Sequence, residues 1–190
     1  MSEPNLEPGR VYRTRDFAAW STNPPRLAKR LVEEGVLVPL AHGLFARPKP
    51  SKFGPVPPLD EEIMRAFLDD APFVFTGPER WNALGLGTTA VSAVPLVYNT
   101  KRSGTFTFGN RRFVLRRVAF PHDPPPEWFI IDLLEHTDQA ATSPTELAPV
   151  LAHALARGRF DADRLGDMAR RYGSRATVAI VEAARGSRQR

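Results

Sequence analysis

Residues 11–48 read VYRTRDFAAWSTNPPRLAKRLVEEGVLVPLAHGLFARP, and the start of this run predicts a short strand followed by a short helix. Val11 and Tyr12 predict the strand. The hydroxyl of Thr14 is suited to cap the helix, which we expect over residues 15–20, because it can accept a hydrogen bond from a free backbone N–H. Phe17 and Trp20 lie three residues apart in this helix, so they can share one buried face.

A second helix is predicted after the turn at residues 21–23. Asn23 can cap this helix, and the two prolines that follow it fit the first turn, where a missing N–H costs little. The helix is expected to end before Gly35, since glycine favours the left-handed backbone that closes a helix. One face of the helix is apolar. The opposite face carries three basic side chains, which are Arg26, Lys29 and Arg30.

Two short apolar runs predict a β-hairpin after this helix. They cover residues 36–40 and 44–48 and flank a turn that contains glycine. Pro39 has no N–H to donate, so its strand is expected at the edge of the sheet. His42 then lies at the tip of the hairpin and Arg47 at its end. A helix, a turn, a second helix and a hairpin in this order predict a winged helix-turn-helix.

The rest of the chain predicts a second domain. We expect the winged helix-turn-helix over residues 1–50, a proline-rich linker at residues 51–58 and a mixed α/β domain over residues 56–190. The second domain has a small sheet, with a hairpin around the turn at residues 109–110, and four helices after Pro126. The predicted fold class is therefore α+β, with a helical C-terminal tail.

The charge of the chain is uneven. The formal net charge is +5 over 190 residues, and residues 1–54 hold nine Lys and Arg against five Asp and Glu, whereas residues 121–190 hold nine against ten. A basic N-terminal module is the electrostatic pattern expected for a polyanion partner. In a helix-turn-helix, the N-terminal half of the second helix enters the major groove. We therefore expect double-stranded DNA to contact Arg26, Lys29 and Arg30, which otherwise form only the solvated face of an amphipathic helix.

Further DNA contacts are expected from the ends of these elements. Side chains at helix starts can reach phosphates, and the candidates are Thr14, Arg15 and Asn23. The wing offers two contacts to the flanking backbone, His42 and Arg47, although a histidine in a turn is as often a bystander.

A second basic group surrounds the central hairpin. Its members are Lys101, Arg102, Arg111, Arg112, Arg116 and Arg117. The two beside the turn, Arg111 and Arg112, are expected to make auxiliary contacts with DNA. Two alternatives stay open: exposed charges also guard a sheet edge against aggregation, and a basic group can dock an acidic protein surface.

No motif of an enzyme stands out. Residues 85–90 (GLGTTA) resemble half of a dinucleotide loop but follow a predicted helix instead of a strand. Asp132, Glu135 and His136 share one helix face and could ligate a divalent metal, although a solvated helix face is the favoured interpretation. The chain has no cysteine, which excludes disulfides and thiolate metal sites. We expect no cofactor, no bound metal and no catalysis, with a metal-dependent nuclease as a minor alternative.

The sequence predicts a cytoplasmic protein. Residues 1–5 show no basic segment followed by an apolar run, as a signal peptide would. No apolar stretch approaches the roughly 20 residues that cross a bilayer, so no membrane partner is expected.

Three segments carry a resemblance to a known family. Residues 35–45 (GVLVPLAHGLF) are similar to a wing motif in which Phe45 stands where tyrosine is usual and Pro39 where arginine is common. Residues 126–134 (PEWFIIDLL) and 164–173 (RLGDMARRYG) are similar to two helix motifs of the same family. That family is the AbiEi-type antitoxins of type IV, or abortive-infection, toxin–antitoxin systems, and the resemblance covers most of the chain.

The resemblance implies an antitoxin whose N-terminal module represses its own operon and whose C-terminal domain opposes a nucleotidyltransferase-like toxin encoded alongside. The implied partners are the DNA of its own promoter and the cognate toxin, with two copies possible on a short operator. The family usually has a helix before the strand at Val11, and few residues remain for it here, so that helix is expected to be absent or vestigial. An antitoxin that acts by protein interaction without binding DNA is the alternative.

Overall fold

A computed structural model describes residues 4–186 of the chain. These residues form seven α-helices, one 3-10 helix and two sheets of three and four strands, which is the predicted α+β class. None of the described helices is long and apolar enough to cross a membrane. Residues 1–3 and 187–190 lie outside the described residues. The first predicted domain begins in these residues and the second ends in them. Three of the five residues on which the absence of a signal peptide was predicted also lie there.

The chain forms two compact units, whose boundaries differ from those of the predicted domains. Among the described residues, unit 1 contains residues 4–73 and 105–113, and unit 2 contains residues 74–104 and 114–186. The proline-rich segment thus lies inside unit 1, where the backbone of Lys49 exchanges two hydrogen bonds with that of Val56, at 3.1 and 2.8 Å. The segment is therefore folded back on itself within unit 1.

Unit 1 is built on a winged helix-turn-helix. Its antiparallel sheet has the strand order β1-β3-β2, so the strand that contains the proline is an edge strand, as predicted. Within residues 4–10 there is no helix before the sheet. A helix that follows the wing, α2, packs against β1. The elements are β1 (Val11–Arg13), a 3-10 helix (Thr14–Ala19), α1 (Pro24–Glu33), β2 (Val38–Ala41), β3 (Leu44–Ala46) and α2 (Asp60–Leu68).

The first helix differs from the prediction in its type and in its cap. It is a 3-10 helix of six residues, which is long for this tighter kind of helix. The residue that precedes it is Arg13, not Thr14, and the backbone N–H of Arg13 donates to the carboxylate of Asp16 at 2.7 Å. The N–H of Thr14 instead donates to the carbonyl of Gly43 at 3.0 Å, which joins the helix to the turn of the wing.

The second helix, α1, begins and ends close to the prediction. The side-chain oxygen of Asn23 accepts a hydrogen bond from the N–H of Arg26 at 3.2 Å, and both prolines lie in the first turn. Gly35 has φ +70°, a left-handed conformation that suits glycine. The next two N–H groups both donate to the carbonyl of Leu31. The first strand of the wing therefore starts at Val38, two residues later than predicted.

Phe17 is the centre of the core of unit 1. Its side chain is 0% exposed. Its ring centroid lies 5.9 Å from that of Tyr12, 6.4 Å from that of Trp20 and 6.0 Å from that of Phe45. The apolar face of α1 closes the same cluster with Leu27, Ala28 and Leu31. This packing seats α1 on the 3-10 helix and leaves its opposite face in solvent.

The second sheet has four strands in the order β4-β5-β7-β6, and β5 pairs with β7 in parallel. Its strands are β4 (Phe73–Thr76), β5 (Leu96–Asn99), β6 (Gly104–Phe108) and β7 (Arg111–Arg117), with α3 (Pro78–Ala83) after β4. The central hairpin and the four C-terminal helices are as predicted. These helices are α4 (Pro126–Glu135), α5 (Pro144–Ala156), α6 (Ala162–Tyr172) and α7 (Arg175–Gly186). Almost every side chain of α4 is buried in the core of unit 2.

A fully buried phenylalanine, Phe17, and a fully exposed one, Phe53, test the role of the core of unit 1. Phe17→Ala removes a fully buried ring, and we expect it to lower the free energy of unfolding by about 3–5 kcal/mol. Phe53 is 100% exposed, so Phe53→Ala should change the same quantity by less than about 0.5 kcal/mol. Urea unfolding followed by circular dichroism measures both. Equal losses in the two variants would contradict the packing described for Phe17.

Candidate nucleic-acid interface

The solvent face of α1 carries the three predicted basic side chains. Lys29 pairs with Glu33 at 3.7 Å and Arg30 pairs with Glu34 at 3.6 Å, each four residues apart on the helix and each exposed. Across the described part of the chain, the guanidinium of Arg26 has no hydrogen bond or ion pair. Exposed pairs of this kind contribute only about 0.3–0.5 kcal/mol each. All three basic groups are therefore available to an anionic ligand at little cost.

A groove runs along the first turns of α1 and combines these cations with neutral donors. Its side chains include two hydroxyls and one amide from the turn before the helix. Cationic side chains together with hydroxyl and amide groups are the usual contacts of nucleic-acid phosphates, so phosphates are the ligands that suit this groove. The polar residues that line it are Ser21, Thr22, Asn23, Arg26, Lys29, Arg30 and Glu33.

A second groove separates α1 from the wing. His42 is exposed at the turn of the wing, on the opposite side of this groove from α1, and Lys29 borders both grooves. Thr14 also lines the second groove but is half-buried under the turn, where it is bonded to Gly43. The helix and the wing tip thus present Lys29 and His42 on either side of one depression.

Two arginines predicted as DNA contacts are occupied within unit 1. The guanidinium of Arg47 donates to the backbone carbonyl of Val36 at 3.0 Å and is half-buried. Arg15 forms an ion pair with the carboxylate of Asp69, which also binds Arg13 at 3.0 Å. These two side chains hold parts of unit 1 together. Their guanidinium groups are partly or fully occupied by these contacts.

The two arginines beside the turn of the central hairpin are placed differently from each other. Arg111 forms an ion pair with the carboxylate of Asp60 at 2.6 Å and donates to the carbonyl of Pro58 at 3.3 Å. Burial raises the pKa of Asp60, and the charge of Arg111 opposes that shift. Arg112 is the next residue of the strand and is exposed. Only Arg112 of this pair has its charge directed to solvent.

The hairpin turn is held against the edge strand of the wing. The backbone N–H of Gly109 donates to the carbonyl of Leu40 in β2 at 2.7 Å. Gly109 has φ +60°, so the turn needs the left-handed conformation that glycine adopts without strain. Arg112 therefore belongs to the same compact unit as the wing and α1. The sequence could not show this, because residues 40 and 109 are far apart along the chain.

The predicted solvated face at Asp132, Glu135 and His136 is wrong for Asp132, which is 6% exposed. Its carboxylate accepts hydrogen bonds from the hydroxyl of Tyr98 at 2.8 Å, from Nε1 of Trp81 at 2.9 Å and from the hydroxyl of Thr76. These donors precede it by 34 to 56 residues, so helix spacing alone did not reveal them.

Glu135 and His136 do not join Asp132 in a ligand set. The carboxylate of Glu135 accepts a hydrogen bond from the backbone N–H of Ser174 at 2.6 Å. Burial tends to raise the pKa of Glu135, but the hydrogen bonds from Ser174 and Thr177 outweigh it and lower the pKa. Within residues 4–186, no group of three or more His, Asp or Glu side chains is arranged to hold a metal ion.

Comparison with solved structures shows a likeness to a mycobacterial protein. The crystal structure of the RV2827C protein from Mycobacterium tuberculosis is similar over 92% of this chain and 72% of that chain, with 15% sequence identity and a TM-score of 0.48. No family model matches the sequence, and no curated protein matches it. The likeness to RV2827C carries no conclusion about function.

Substitution of the two neighbouring arginines should separate a structural role from a ligand contact. Arg111→Ala removes the partner of a partly buried carboxylate, and we expect a loss of about 1 kcal/mol in the free energy of unfolding. Arg112→Ala should leave stability within about 0.5 kcal/mol of the parent. Thermal and urea unfolding compare them directly. A larger loss for Arg112→Ala than for Arg111→Ala would overturn these placements.

Proposed function

We propose that this chain is a DNA-binding antitoxin that represses its own operon. The observation that carries the DNA-binding half is the exposed basic face of α1, in which the guanidinium of Arg26 has no partner within residues 4–186 and Lys29 and Arg30 have only exposed ones. A winged helix-turn-helix offers such a face to the major groove and its wing to the flanking backbone. The duplex DNA of the protein's own promoter is the partner we assign to this surface.

The contacts divide into three kinds. Arg26, Lys29 and Arg30 meet base edges and phosphates in the major groove, and His42 meets the flanking backbone. Arg112 adds a phosphate contact beside the wing. Arg47 and Arg111 position the module instead of contacting DNA, because each is bound inside unit 1, and the exposed Arg15 holds Asp69 at the surface. Phosphate contacts then supply most of the affinity, and binding weakens steeply with salt.

The double substitution Arg26→Ala plus Arg30→Ala tests the DNA-binding half. We expect it to weaken binding to the protein's own upstream DNA by about 10-fold or more, and to reduce the slope of log affinity against log salt by about two, roughly one for each lost phosphate contact. Fluorescence anisotropy at several salt concentrations gives both quantities.

A matched control removes the same charge elsewhere. Arg157 and Arg171 are exposed residues of unit 2 without a partner among the described residues, so Arg157→Ala plus Arg171→Ala lowers the net charge equally. If the control pair weakened binding as much as the α1 pair, only the net charge of the protein would matter. The assignment to α1 would then be wrong.

The antitoxin half of the proposal rests on the resemblance to AbiEi-type antitoxins. Two of its three motifs, at residues 126–134 and 164–173, lie in α4 and α6 of unit 2. The partner proposed for this part of the chain is a nucleotidyltransferase-like toxin encoded alongside. We place both proteins in the cytoplasm, and two copies of the antitoxin on a short operator.

Co-expression with the product of the adjacent reading frame tests this half separately. We expect the parent chain to restore growth that the neighbouring product arrests, and the Arg26→Ala plus Arg30→Ala variant to restore it as well, because the α1 face is not needed for neutralisation. Colony counts under separate inducible promoters measure the effect. Restored growth without any DNA binding by the parent would favour a protein-interaction antitoxin. Failure of the parent to restore growth would refute the antitoxin role.

A further inference from the structure

Unit 2 contains a pocket that the proposed function does not use. Its volume is about 250 Å³, and it is bordered by side chains from β5, β7, α4 and α6. Its walls include three aromatic side chains, and two basic groups lie among them. The residues that matter here are Tyr98, Arg116, Trp128, Asp132, His136 and Tyr172.

Asp132 fixes the orientation of His136 at this pocket. Nδ1 of His136 lies 2.9 Å from the backbone carbonyl oxygen of Asp132 and 3.3 Å from its carboxylate. Both are acceptors, so Nδ1 carries a hydrogen and donates it. The ring also stacks on Trp81, with 5.9 Å between centroids and 12° between planes. Nε2 faces the pocket side of the ring, 3.4 Å from Nη1 of Arg116 and 3.4 Å from the hydroxyl of Tyr98.

The guanidinium of Arg116 is the second basic group of the pocket. It is half-buried, and within residues 4–186 it forms no ion pair. Neither acid that lines the pocket is paired with Arg116: the carboxylate of Asp132 lies 3.3 Å from Nδ1 of His136 and accepts from Tyr98 and Trp81, and Glu135 accepts from the backbone of Ser174. A half-buried cation without a counter-ion is costly unless a ligand or solvent satisfies it.

We propose that this pocket binds a small molecule through a phosphate or carboxylate group held between the guanidinium of Arg116 and the imidazole of His136. A guanidinium binds such oxyanions with two parallel N–H donors, and a protonated Nε2 adds a third. The rings of Trp128 and Tyr172 line the same pocket and suit a compact apolar or aromatic body. The site involves no residue of α1, so it is independent of the proposed DNA binding.

Binding of the oxyanion weakens as pH rises. The side-chain hydrogen bond to Asp132 raises the pKa of His136, while burial and the charge of Arg116 oppose the shift. The other titratable groups that face the ring are Tyr98 and Glu135. Burial and the charge of Asp132 raise the pKa of Tyr98, and hydrogen bonds from Ser174 and Thr177 lower the pKa of Glu135. Tyr98 therefore stays neutral and Glu135 stays charged near neutral pH. Only His136 changes charge there, and its cationic form, present below its pKa, is the one that binds the anion.

Nuclear magnetic resonance of the imidazole groups tests the proposal on the full-length protein. Sodium phosphate and, separately, sodium acetate are titrated against sodium chloride at constant ionic strength, at about pH 6 and about pH 8. We expect a saturable shift at His136 and none at His42, His122 or His153, which act as internal controls among the four histidines. A response to phosphate alone identifies a phosphate group, a response to acetate alone a carboxylate, and a response to both a general oxyanion site.

Two neighbouring arginines of β7 provide the matched pair of variants. Arg116→Gln should weaken the binding by about 10-fold or more, as expected for the loss of a charge-assisted hydrogen bond. Arg117 is exposed, so Arg117→Gln should change the affinity by less than about two-fold. Acetate keeps the same charge at both pH values, so isothermal titration calorimetry with acetate should give a higher affinity at the lower pH in the parent, and His136→Gln should abolish that difference.

Two results would overturn the proposal. One is the absence of a saturable shift at His136 with either anion, and the other is an equal loss of affinity in Arg116→Gln and Arg117→Gln. Circular dichroism establishes whether each variant is folded. If Arg116→Gln does not fold, Arg116→Lys keeps the charge and loses the two-donor geometry, and it should still weaken binding. In that case, an affinity of Arg116→Lys equal to that of the parent would reject the site.

Discussion

The backbone carbonyl of Val36 lies where the chain leaves α1 for the wing, and the guanidinium of Arg47 satisfies it at 3.0 Å. That one bond, made from the far end of the hairpin, joins the end of the helix to the wing. With Phe17 packed beneath α1, it keeps the basic face of the helix and the tip of the wing on one surface. A polar group withdrawn from water has to be paired, and here the pairing also sets the geometry of the candidate interface.

The same requirement divides the arginines of unit 1 into two populations. Arg15, Arg47 and Arg111 satisfy carboxylates or carbonyls within the unit, while Arg26 and Arg112 face solvent. Net charge does not distinguish them, because a paired and a free guanidinium count equally in a sequence. The surface that remains for an anionic partner is smaller and more localised than the formal charge of +5 suggests.

The sequence predicted features that depend on neighbours along the chain. The cap at Asn23, the helix end at Gly35 and the edge strand with Pro39 all follow from local hydrogen-bonding chemistry, and the structure confirms them. It did not predict pairs such as Arg111 with Asp60, or the donors around Asp132, because those groups meet only after the chain has folded. The candidate contacts on α1 could therefore be predicted from the sequence. Which of the other arginines are paired within the protein and which face solvent could be seen only in the folded structure.

The bond from Gly109 to Leu40 has a consequence for assembly. An exposed edge strand is where a second chain most readily extends a sheet. On β2, Pro39 offers no donor, and the carbonyl of Leu40 is already occupied by the hairpin turn. The outer edge of the wing is thus blocked at these two positions, and extension of this sheet by a further strand would first have to displace the turn at Gly109.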